Sequence, residues 1–104
     1  MAASKAATIS ITQSAALRFG PEVRVNAVCP GVIDTPMNRQ IAEERHELVG
    51  SSIEDPYPGL EDTLALKRFG EPDDVARVVE FLLGDLSRYV TGQAINVDGG
   101  LEFH

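Results

Sequence analysis

The sequence predicts an α/β chain built on a parallel sheet, and three observations lead there. Helix-like and strand-like stretches alternate in the order helix, strand, helix, loop, helix, strand, which is the order of parallel α/β units. Two short runs, Val23–Val28 (VRVNAV) and Ala94–Val97 (AINV), are bounded by Gly, Pro and Asp turn signals. Val75, Val78, Val79 and Leu82 fall at i, i+3, i+4 and i+7, the apolar stripe of a helix with one buried face.

Taken in order, the first element is a helix over Ser4–Phe19. Ala3, Ala7, Ile11 and Ala15 recur every four residues, and Ala6, Ile9, Ala16 and Leu17 add apolar surface on other sides. A helix apolar on most sides is expected to be covered on most sides, with its alanines letting a neighbour approach closely. Gly20-Pro21 stops it. The strand Val23–Val28 follows, then a loop at Cys29-Pro30-Gly31. Thr35 before Pro36 reads as an N-cap followed by proline at the first helical position, opening a polar helix that carries Met37, Ile41 and Leu48.

Residues Gly50–Thr63 have no usable period and are acidic and turn-rich, so a lid or binding loop is expected there. The last helix begins at Pro72. Asp73 and Asp74 suit its positive end and Gly84 its exit. The strand Ala94–Val97 ends at Asp98-Gly99-Gly100. Two strands are few for a parallel sheet, which is normally wider and covered on both faces.

Composition narrows the function. The 104 residues carry 16 acids against 9 bases, a net charge of −7, with no clustering of Lys and Arg. Nucleic acid and anionic membrane surfaces are therefore poor partners, and no apolar stretch is long enough to span a bilayer. The first residues lack the pattern of a signal peptide. Cys29 is the single cysteine, so an internal disulfide is excluded and a reducing, cytoplasmic setting is expected. Cys29, His46 and His104 sit at no metal-ligand spacing, and no metal site is expected.

Four patches fit one family together. Met1-Ala2-Ala3-Ser4-Lys5-Ala6-Ala7 resembles the Tyr-x-x-x-Lys helix start of short-chain dehydrogenases/reductases. Val23 through Thr35 is similar to their strand followed by Pro-Gly-x-x-x-Thr, and Arg68 through Ala76 to their Arg-Phe-Gly-x-Pro-x-Asp-Val-Ala helix entry. Tyr89-Val90-Thr91-Gly92-Gln93 through Gly100 resembles their final strand. The resemblance implies the C-terminal part of a Rossmann-type doubly wound parallel sheet, with two strands and three main helices, over residues 1–104 as a single partial domain.

It also implies an NAD(P)-dependent oxidoreductase, moving hydride between nicotinamide and an alcohol or carbonyl carbon. Lys5 matches the family's catalytic lysine, which lowers the pKa of a phenol four residues earlier and holds the nicotinamide ribose hydroxyls. Pro30, Gly31, Ile33 and Thr35 match the loop that contacts the nicotinamide end. On the residues alone, Lys5 also reads as an exposed first-turn lysine and Thr35 as a helix cap that needs no ligand.

Asn26 is expected to satisfy neighbouring backbone, and Cys29 to act as a small buried apolar residue. His46 belongs to a solvated helix face, while Tyr57 and Tyr89 are poor replacement acids.

The chain departs from the family pattern at two places. Met1 stands at the tyrosine position, and a thioether cannot donate or accept the substrate proton. No Gly-rich phosphate turn occurs in these residues, nor the acid or arginine that chooses NAD or NADP. The expectation is a chain inactive alone. The alternative is a non-catalytic interaction protein, pairing with itself as a homo-oligomer or with full-length subunits of the family.

Overall fold

The computed structural model describes residues 2–49 and 59–102. Helix α1 (Ala2–Phe19) leads into strand β1 (Ala27–Pro30), followed by α2 (Pro36–Val49), a single turn α3 (Leu60–Thr63), α4 (Pro72–Leu83), a 3-10 turn at Asp85–Ser87, and strand β2 (Ala94–Val97). The two strands pair in parallel, from Ala27 opposite Ala94 to Pro30 opposite Val97. The α/β architecture and its three long helices are as expected; α3 is an addition.

Helices α2 and α4 start where their capping chemistry is. Thr35 Oγ1 accepts the Asn38 backbone N–H at 3.1 Å, the bond that an N-cap makes to the third helical residue, and Pro36 follows it. At α4 the Asp74 carboxylate accepts the Glu71 backbone N–H at 2.8 Å and two bonds from Arg68, at 2.9 and 3.3 Å. The Arg68 guanidinium, with help from the Glu71 N–H, holds the Asp74 carboxyl down at about 2.

A carboxyl depressed by folding contributes stability that is complete above its ordinary value and is lost as pH falls toward its folded value. The urea midpoint is therefore expected to drop between pH 4 and pH 2, with Arg39-bonded Asp34, also held low, contributing in the same direction. Asp74→Asn is expected to flatten part of that loss; identical pH slopes for the two proteins would contradict the assignment.

The far end of α4 is tied down by a residue that the strand reading did not single out. Arg24 donates to the carbonyl of Leu82 at 2.8 Å, a position that the end of a helix leaves open, and to the loop carbonyl of Val90 at 3.0 Å. Ser87, fully buried, donates to the carbonyls of Leu82 and Gly84. Asn26 bridges backbone on both sides as expected, donating to Val90 O and accepting from Gln93 N, each at 3.0 Å.

Three expectations need correction. The strand forms over Ala27–Pro30, not Val23–Val28, because the ladder can run only where β2 offers a partner. Residues 23–26 lie instead beside the 90–93 loop, with Gly92 N donating to Val25 O at 2.7 Å; Cys29 and Pro30 belong to the strand and not to a loop. The expected loop over Gly50–Thr63 contains helix α3 at its end, while residues 50–58 lie outside the described residues.

The third correction concerns covering. Among the described residues α1 buries Thr12 and Ala16, but Ile11 is 68% and Leu17 87% exposed. On α4, Val75, Val78 and Leu82 are half-buried while Val79 is exposed. The periodicity is right; a sheet of two strands is too narrow to cover it.

Candidate active site

Parallel α/β sheets collect ligands at the carboxyl ends of their strands. Here those ends, Pro30 and Val97, are direct partners across the sheet. Helix α1 enters the sheet through β1, so its first turns stand beside the last residues of that strand. Ser4, Lys5 and Thr8 of the helix and Val28, Cys29 and Pro30 of the strand line a cleft of about 240 Å³.

Lys5 is half-buried in this wall. Its ammonium donates to Glu102 Oε2 at 2.7 Å, and that hydrogen bond lifts its pKa above the ordinary lysine value against a smaller opposing effect of burial. Cys29 is half-buried beside it, and Ser4 stands inside the helix.

The chain leaves β1 through Gly31, whose N–H donates to Val97 O at 3.0 Å as the last rung between the strand ends. A Cβ at Gly31 would lie 2.5 Å from Asp98 Cβ and 2.8 Å from Asp98 Cα, so only glycine lets the two strand exits touch. Beyond it, Gly70 N–H donates to Val32 O and Asp34 N–H to Gly70 O, at 3.0 and 2.8 Å. These two bonds straddle Ile33, so its own amide and carbonyl point away from Gly70. The carbonyl accepts from Asn38 Nδ2; no described residue takes the N–H.

Of the residues singled out in the sequence, Lys5 and Pro30 share the cleft. Gly31, Ile33 and Thr35 follow along the exit loop and are not among its lining. Thr35 performs the capping role, and a hydroxyl that accepts one bond keeps a proton to donate. Tyr89 is fully exposed, and Met1 and Tyr57 lie outside the described residues, as does the side chain of His46. The residue that sequence reading missed is Glu102. Nothing in its spacing pointed to Lys5, 97 positions away.

The comparisons with known proteins give the family. A family model described as enoyl-(acyl carrier protein) reductase matches residues 1–102. A short chain dehydrogenase family protein from Francisella tularensis superposes with a TM-score of 0.85 at 37% identity, over 94% of this chain and 41% of that one. The chain belongs to the short-chain dehydrogenase/reductase family.

Among its relatives is the 3-oxoacyl-[acyl-carrier-protein] reductase of Thermotoga maritima, 46% identical over 101 residues, 96% of this chain and 37% of that protein. An actinorhodin polyketide ketoreductase solved with NADPH superposes with a TM-score of 0.84 at 33% identity, over 98% of this chain and 40% of that one. The chain thus spans about two fifths of the length of the dehydrogenases/reductases it matches. Among the described residues no helix is long and apolar enough to cross a membrane, and no group of His, Cys, Asp and Glu could hold a metal ion.

Proposed function

We propose that these residues form the nicotinamide end of an NAD(P)-dependent oxidoreductase site, the C-terminal segment of a doubly wound domain acting on a small alcohol or carbonyl compound in the cytoplasm. One observation carries the reading. Lys5, four residues into the chain's first helix, opens on the cleft at the carboxyl ends of two paired parallel strands.

The residues present fit the nicotinamide half of the cofactor. The outward Ile33 N–H suits the carboxamide oxygen, Thr35 keeps a hydroxyl proton to donate, and Lys5 beside Pro30 suits ribose hydroxyls. NAD or NADP, when bound, supplies or accepts the hydride. Lys5 holds its proton throughout and lowers the pKa of a neighbouring proton donor by its charge. Pro30, in the cleft wall, and Gly31, at the strand exit beside it, would hold that end of the cofactor through close backbone approach.

These 104 residues on their own lack both a phenol at residue 1 and a Gly-rich turn for the pyrophosphate. Purified alone, the chain is expected to oxidise no NADH or NADPH with any carbonyl acceptor. Sustained turnover by homogeneous 104-residue material would overturn that expectation.

Leu17, Leu83, Leu86 and Tyr89, all more than four fifths exposed, favour a second reading, a chain that pairs with itself or with full-length subunits through its helices. Sedimentation in the same preparation separates the two. A concentration-dependent oligomer supports pairing, and a folded monomer at every concentration removes it.

A further inference from the structure

Glu102 is held from three sides. Its backbone N–H donates to Asp98 Oδ2 at 3.1 Å, its carbonyl accepts from Asn96 Nδ2 at 3.3 Å, and its carboxylate accepts from Lys5 Nζ at 2.7 Å. The other Asp98 oxygen accepts the Gly100 N–H at 3.0 Å, so Asp98 braces the whole turn that carries the chain from β2 back to α1. Gly100 has φ +88°, and a Cβ there would strike Ala65 Cβ at 2.4 Å, which fixes the turn against the segment before α4. Asp98 is also the residue on which Gly31 rests. The turn that delivers Glu102 is therefore built into the same strand ends that form the cleft.

The ion pair itself is lightly held. Its side chains are 30% exposed at Lys5 and 59% at Glu102, and an exposed pair of this kind biases an equilibrium by no more than about five-fold. That is too little for the fold to depend on, and little enough for a ligand to overcome. A carboxylate nevertheless outbids a neutral hydroxyl for an ammonium, because the charge-assisted bond is the stronger one.

We propose that Glu102 is an internal latch on the Lys5 ammonium, a carboxylate that any hydroxyl ligand of Lys5 has to displace. The latch follows from the contacts alone; that its competitor is a nicotinamide ribose rests on the functional reading above.

The chain has two lysines, so Lys67, bonded to the Asp62 carbonyl, serves as an internal reference for Lys5. The full chain is trace-acetylated near neutral pH, and the ratio of Lys5 to Lys67 labelling is read by mass spectrometry. Glu102→Gln is expected to raise that ratio by about two- to five-fold, whereas Glu80→Gln, which removes an equal charge from exposed α4, leaves it unchanged. An unaltered ratio in Glu102→Gln, or an equal rise in Glu80→Gln, overturns the latch.

NADH is then added at millimolar concentration. Protection of Lys5 at about two- to five-fold lower NADH in Glu102→Gln supports displacement, and equal protection in both proteins overturns it. If Lys5 is freed in Glu102→Gln but NADH protects it in neither protein, the latch stands and its displacement by a nicotinamide ribose in this chain fails.

Discussion

Gly31→Ala is expected to destabilise the chain by about 1–3 kcal/mol, the cost of forcing a methyl group into a closed contact. The added Cβ would meet Asp98 at 2.5 and 2.8 Å, and the second of those atoms is a backbone Cα that no rotamer change can move. The strand exits must spread, stretching the bond from Gly31 N–H to Val97 O that closes the ladder. Because Asp98 also holds the N–H groups of Gly100 and Glu102, the displacement should reach the Lys5 contact as well.

Gly84→Ala is the matched control. Its new Cβ would lie 3.6 Å from Glu80 O, an ordinary contact, and Gly84 has φ −102°, which any residue accepts. Urea titrations of the three proteins, followed by far-ultraviolet dichroism, read the difference. A Gly31→Ala midpoint equal to that of Gly84→Ala would show that the strand ends do not meet as described.

The helices were legible because their ends are written locally. Thr35-Pro36, Pro72 with Asp74, and Gly20 each act within one turn of their own position, and the observed boundaries fall at them. Strand limits are not local. Val23 and Val25 have strand-forming side chains, yet the ladder starts at Ala27 because that is where β2 starts. The valine stripe of α4 was read correctly as a face, but its depth of burial depends on how many strands lie beneath it.

The site divides in the same way. Lys5 stood out through the Ala-Ser-Lys-Ala match, and Pro30 through the strand exit; the fold places both on one cleft. Thr35 was legible as a cap, and that bond forms. Glu102 and Arg24 were not legible, since each acts on a partner more than fifty residues away through a contact that only the turn at 98–102 or the end of α4 creates.

The second large effect concerns Lys5, and it tests the central claim that this stretch carries the lysine of a short-chain dehydrogenase/reductase site. Residues 2–102 can replace the matching stretch of the Thermotoga maritima 3-oxoacyl-[acyl-carrier-protein] reductase, leaving in place whatever that enzyme carries ahead of it. The two stretches are 46% identical over 101 residues. On the proposed reading the ammonium lowers the pKa of the chimera's proton donor, and losing such support is expected to remove about a hundred-fold or more of the rate. The measurement is cofactor-dependent reduction of the reductase's own substrate by the chimera and by its Lys5→Ala variant, each confirmed folded by near-ultraviolet dichroism. The account expects an active chimera that loses at least about a hundred-fold with Lys5→Ala; a folded, active chimera whose turnover is indifferent to Lys5 would contradict it.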